Sequence, residues 1–126
     1  MKSEFQANKI SVLILEDEAI IAMALEDTFL DAGIERIDTA MSVREGTELV
    51  EKNHFDAAIL DLRLPDGSSY DLAKTLISNG TKVIFHSGHA LSNEVLAEFP
   101  DARACSKPSK PEVLLASLSE LFAQKT

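Results

Sequence analysis

Asp61 ends an apolar run, Phe55-Asp56-Ala57-Ala58-Ile59-Leu60-Asp61, and a loop follows at once, Leu62-Arg63-Leu64-Pro65-Asp66-Gly67. An earlier run, Ile10-Ser11-Val12-Leu13-Ile14-Leu15, closes in the same way on Glu16-Asp17. A third ends at Ser87, and Lys107-Pro108 lies beyond a fourth. A carboxylate at the carboxyl end of a buried strand sits where open α/β sheets put their active sites. Three carboxylates gathered there repel one another unless a divalent cation or a lysine neutralises them.

That need defines a chemistry. Asp17 and Asp61 offer hard oxygen ligands suited to Mg²⁺, which keeps several waters and takes one or two carboxylates. Glu16 can hold one of those waters, and the backbone carbonyl of Arg63 is the candidate to complete the shell. Asp61 stays ionised and can act as a nucleophile, since carboxylates form aspartyl phosphates. An incoming phosphoryl group spreads charge over three oxygens and needs clamps. The cation is one, the Lys107 ammonium a second as a point charge, and the Ser87 hydroxyl a third.

The elements that must position these groups follow from periodicity. Strand-like runs at about 10–15, 36–40, 55–60, 82–86 and 102–105 alternate with helical patterns at about 19–32, from 42 through Val50, from 68 to the stop at Gly80, at about 91–98, and from 109 through Phe122. Ser42 to Glu45, Ser68 to Asp71 and Ser109 to Glu112 read as capping boxes, and Gly33 and Gly80 as helix stops. Five strands alternating with five helices imply a parallel sheet covered on both faces. The flavodoxin-like order 2-1-3-4-5, a (βα)5 three-layer sandwich, sets strands one and three side by side. That order brings Glu16, Asp17 and Asp61 together.

Composition bounds the rest. The 126 residues make one ordinary domain, 45% hydrophobic and 26% charged. No apolar stretch approaches a membrane span. The start lacks a signal-peptide core, so the expectation is a cytoplasmic protein with no membrane partner. A net charge of −9 argues against nucleic acid as a partner. One cysteine, Cys105, excludes an internal disulfide and any Cys-based zinc site.

Four segments, in order and spaced along essentially the whole chain, resemble the receiver domain of two-component response regulators. They are Val12-Leu13-Ile14-Leu15-Glu16-Asp17-Glu18, Ala58-Ile59-Leu60-Asp61-Leu62-Arg63-Leu64-Pro65-Asp66-Gly67, Val83-Ile84-Phe85-His86-Ser87-Gly88 and Ser106-Lys107-Pro108. The resemblance implies Mg²⁺ held by Asp17 and Asp61 with help from Glu16, phosphorylation of Asp61, and sensing by Ser87 and Lys107. It implies a sensor histidine kinase or a histidine phosphotransfer protein as donor. Beyond self-catalysed phosphoryl acceptance and loss, no enzyme activity is expected. The pattern assigns residues 1–8 to an N-terminal extension and 9–124 to the receiver, with no output domain. Output then passes to a downstream protein through the face of helix four, strand five and helix five, and a homodimer through that face is open.

Two departures stand out. Receivers usually carry Tyr or Phe three residues before the lysine, and here that residue is Ala104. Phe85-His86-Ser87-Gly88-His89-Ala90 resembles the Phe-Ala-Thr-Gly-x-Tyr motif of stand-alone receivers, the FATGUY group, with Ala90 in place of its tyrosine. The switch is therefore expected to reach helix four through backbone repositioning at Ser87 and Gly88, with His89 as a candidate participant. His86, pointing away from Ser87, is expected to be a half-buried core residue. Arg63 and His89 are candidates for tuning the phosphoryl lifetime. His54 is expected to cap the exit of helix two, and Cys105 to be a small buried hydrophobe. Leu91, Val95 and Phe99 are expected in the core.

Three other functions compete. A haloacid-dehalogenase-type phosphatase needs an acid/base two residues past the nucleophile, where Arg63 cannot lose a proton. A flavodoxin-like cofactor binder needs a phosphate-cradling loop where this chain has Glu16-Asp17-Glu18. A phosphate-independent pseudo-receiver is disfavoured by the intact acids, serine and lysine.

Overall fold

The computed structural model describes residues 9–88 and 93–123. Its elements in chain order are β1 (Ser11–Leu15), α1 (Ala19–Asp31), β2 (Arg36–Ala40), α2 (Val43–Lys52), β3 (Ala57–Leu60), β4 (Arg63–Leu64), β5 (Gly67–Ser68), α3 (Tyr70–Ser78), β6 (Lys82–Ser87), α4 (Asn93–Glu98), β7 (Arg103–Ser106) and α5 (Pro111–Ala123). The main sheet runs β2-β1-β3-β6-β7, parallel throughout. Counting only its own strands, that is the expected order 2-1-3-4-5. The two-residue strands β4 and β5 pair antiparallel as a small hairpin in the loop after Asp61, which the sequence pattern did not predict.

Alternation along each strand divides the core. Val12 and Ile14 of β1, Ala57 and Ile59 of β3, and Ile84 of β6 pack with Leu25 and Phe29 of α1 and with Leu114, Leu118 and Leu121 of α5. Leu13, Leu15, Ala58, Leu60, Val83 and Phe85 pack on the other face with Leu72, Ala73 and Leu76 of α3 and with Phe99. Successive side chains of a strand point to opposite faces, so a strand covered on both sides reads as a continuous apolar run. Gly46 of α2 lets this helix lie close: a Cβ there would stand 3.0 Å from Leu15 Cδ1 and 3.1 Å from Leu72 Cδ2.

Helix ends depart from expectation in instructive ways. Ser42 caps α2, its Oγ accepting from the Glu45 N–H at 3.1 Å. The Glu45 carboxylate returns to the Met41 N–H at 2.8 Å, one residue before the expected capping-box partner. Asn53, not His54, caps the exit of α2; its amide donates to the Leu49 carbonyl at 3.0 Å. The expected Ser68–Asp71 box is absent: α3 starts at Tyr70, and the Ser69 side chain makes no cap bond. Ser109 likewise donates to the Ser106 carbonyl. A hydroxyl has several local acceptors, and a nearby carbonyl here wins over the cap.

Candidate functional site

Three backbone hydrogen bonds carry the sheet ladders one residue past the strand ends. The Glu16 N–H donates to the Ala40 carbonyl at 2.9 Å, the Asp61 N–H to Leu15 at 2.9 Å, and the Lys107 N–H to Ser87 at 2.8 Å. These bonds fix Glu16, Asp61 and Lys107 at one edge of the sheet. Strand alternation then aims two of them. Glu16 continues the parity of Val12 and Ile14, and Asp61 that of Ala57 and Ile59, so both acids emerge on the α1/α5 side.

There they meet one ammonium group. Lys107 Nζ lies 2.8 Å from Asp61 Oδ2 and 2.8 Å from Glu16 Oε1, with Glu18 Oε1 at 4.0 Å. Carboxylate oxygens of Glu16, Asp17 and Asp61 all lie within 4.8 Å of one another. Glu16 is buried, at 2% exposure, and Asp61 at 7%. Burial raises the Glu16 pKa, against hydrogen bonds from Lys107 and the Glu18 N–H that favour the anion. Burial opposes the charge of Lys107 too, yet its hydrogen bonds to Asp61 and Glu16 prevail and raise its pKa. The lysine bridges Glu16 and Asp61 but not Asp17, and the cluster of Glu16, Asp17 and Asp61 fits a further hard cation with oxygen ligands.

The loop after Asp61 is tied at several points. The Arg63 N–H donates to Asp61 Oδ1 at 3.3 Å, while the Arg63 side chain is exposed. Ser69, fully buried, donates its Oγ–H to the Asp61 backbone carbonyl at 2.8 Å and its N–H to Leu62 at 2.9 Å. Asp66, at the hairpin tip, accepts from the Val43 and Arg44 N–H groups at 2.9 and 3.0 Å, capping α2 from outside. Those two bonds, Val43 first, hold its carboxyl below the usual range. Sequence reasoning missed both roles. The signal for Ser69 was the serine pair before α3, of which one side chain is left to face inward.

Ser87 is buried at the end of β6, on the parity of Val83 and Phe85. His86 is fully buried rather than half-buried, and neither ring nitrogen has a hydrogen-bond partner among the described residues. Burial, then the charge on Lys107, lowers its pKa against the pull of Asp61, which favours the neutral ring. Ala104 is exposed on β7, in register with Phe85. Cys105 is half-buried, its Sγ 3.6 Å from Ser117 Oγ. Phe99 is in the core as expected. His89, Ala90 and Leu91 lie outside the described residues, as does the side chain of Val95.

An open α/β sheet with an acidic, lysine-bridged pocket at the carboxyl ends of its strands places the chain among flavodoxin-like α/β domains with a strand-end acidic site. Residues 12–119 match the family of the response regulator receiver domain, and the chain belongs to that family. A protein-glutamate methylesterase/protein-glutamine glutaminase of Archaeoglobus fulgidus is 32% identical over 114 residues, covering 87% of this chain and 32% of its own length. The response regulator protein PilR of Pseudomonas aeruginosa is 42% identical over 64 residues, covering 49% of this chain and 14% of its own length. The chain spans about a third or less of these curated relatives, and the match to the methylesterase is to its receiver part.

Among solved structures, a CheY-like response regulator receiver domain protein from Methanospirillum hungatei superposes with a TM-score of 0.80 at 25% identity, covering 91% of this chain and 94% of that one. SdrG from Sphingomonas melonis gives 0.75 at 29% identity, covering 90% and 96%. Receivers of two-component systems are phosphorylated on an aspartate by histidine kinases or phosphotransfer proteins and bind Mg²⁺ through acidic residues. No described helix is long and apolar enough to cross a membrane.

Proposed function

We propose that Asp61 is the phospho-acceptor of this receiver. The observation that carries the reading is the Lys107 ammonium held 2.8 Å from both Asp61 and Glu16 in a buried pocket. The P–N bond of a donor phosphohistidine breaks with its electron pair on nitrogen, and an Asp61 oxygen forms the new P–O bond. Asp61 reacts as the anion, so it has no proton to lose. Ser69 holds the Asp61 carbonyl and the Arg63 N–H one carboxylate oxygen, which limits the orientations the nucleophile samples. Lys107 follows the developing charge onto the phosphoryl oxygens, and Ser87 donates its hydroxyl to another.

Glu16, Asp17 and Asp61 would hold Mg²⁺, with the Arg63 backbone carbonyl completing the set. The ion supplies positive charge against the phosphoryl oxygens. A sensor histidine kinase or histidine phosphotransfer protein is the donor. Output is an altered protein–protein contact on the face of α4, β7 and α5, through which two copies could also pair. The net charge of −9 supports a protein rather than a nucleic acid as partner.

The test is mass spectrometry after incubation with acetyl phosphate and Mg²⁺. Wild type should gain one phosphoryl group and Asp61→Asn none. Adduct formation on the variant, or none on wild type with any small donor or phosphohistidine protein, overturns the assignment.

A further inference from the structure

The position on β7 paired with Phe85 is an exposed alanine, so that position has no large side chain through which to report on the pocket. A different path is built on the other side of Asp61. Its backbone carbonyl is held by the hydroxyl of Ser69, a residue with no exposed surface. The next residue, Tyr70, opens α3. The Tyr70 ring meets Phe99 edge-on, with centroids 5.5 Å apart, and Phe99 meets Phe85 at 5.6 Å. The Tyr70 hydroxyl hydrogen-bonds to the carboxylate of Glu98, the last residue of α4.

We propose that Ser69 and Tyr70 form one relay, Ser69 as a positioning residue for the Asp61 backbone and Tyr70 as the link that passes a change at Asp61 to the carboxyl end of α4. The inference rests on Asp61 being the phospho-acceptor and deepens that reading by naming its output path. Two physical features favour it. Ser69 and Tyr70 are covalent neighbours at a helix start, so a shift of the Asp61 carbonyl moves α3 at the point where Tyr70 departs. Tyr70 then contacts the end of α4 twice, through its ring on Phe99 and its hydroxyl on Glu98. Edge-to-face aromatic pairs and a hydrogen bond to a charged acceptor both have narrow preferred geometries, so neither absorbs a shift silently.

The experiment follows backbone amide shifts of the full chain with Mg²⁺, before and after beryllofluoride, in wild type, Tyr70→Phe, Ser69→Ala and Ser69→Thr. In wild type, amides at 61–63 and at 96–99 should both move. Tyr70→Phe keeps the ring and should phosphorylate with acetyl phosphate at the wild-type rate, while its shift changes at 96–99 fall by about half or more. Ser69→Ala should slow phosphorylation about fivefold, and Ser69→Thr should recover most of that loss. Equal responses at 96–99 in wild type and Tyr70→Phe overturn the relay while leaving Asp61 as acceptor. No response at 61–63 in wild type overturns both readings. A Ser69→Ala rate equal to wild type removes Ser69 from the path.

Discussion

Two aspartates flank β3, and they live differently. Asp56, at the amino end, accepts from the Ser11 N–H at 2.9 Å and the Ser11 hydroxyl at 3.1 Å, with His54 Nε2 at 3.9 Å. Its side chain is 38% exposed, and it ties the start of β3 to β1. Asp61, at the carboxyl end, is buried beside two other acids and shares one ammonium with Glu16. An acid satisfied by hydrogen-bond donors of a neighbouring strand holds a fold together. An acid buried among acids is short of positive charge, and that shortage is what the proposed metal site and phospho-acceptor role of Asp61 rest on.

The sharpest way to break this comparison is to neutralise each acid in turn. Asp61→Asn should abolish acetyl phosphate labelling, whereas Asp56→Asn should label normally and lose about 1 kcal/mol of stability in urea unfolding. Labelling lost equally in both would erase the distinction. Next in size, Lys107→Met should slow labelling roughly a hundredfold, as removal of a preorganised charge clamp does; a rate within threefold of wild type would discard the lysine's role.

A smaller effect sharpens the contrast within the pocket. Because the folded-state pKa of Glu16 is raised, its ionisation is harder in the native protein than in the unfolded chain. The associated stability is full below the unfolded value of about 4.5 and lost as pH rises through the folded one. At neutral pH the ionised glutamate is therefore a burden. Glu16→Gln should raise the metal-free Tm and weaken Mg²⁺ binding about tenfold, read by calorimetry and by titration. A lower Tm would contradict the sign. The smallest effect concerns Asp66, whose pKa is depressed. Its contribution is present above the unfolded value of about 3.8 and lost as pH falls through the lower folded one. Asp66→Asn should flatten the fall of Tm with pH in that acid window, and an unaltered profile would remove the cap from the account.

The sheet was legible because parallel strands buried on both faces appear as apolar runs, and the acids, Ser87 and Lys107 were legible because each ends or follows such a run. The hairpin β4–β5 was not, since two-residue strands have no period to read. Ser69 was hidden for a related reason: whether a serine caps a helix or turns to a buried carbonyl depends on what the fold brings near, and Asp61 is eight positions away. His86 was expected at the margin of the core. Alternation gave its direction, but the depth of packing that encloses both nitrogens is a property of the assembled fold.

The lysine bridge has one more consequence. With its amine between Glu16 and Asp61, the chain carries a tethered counterion that offsets the mutual repulsion of the two acids. Under the proposed function, a metal ion entering between these acids would meet a positive charge already in place and would have to share their oxygens with it.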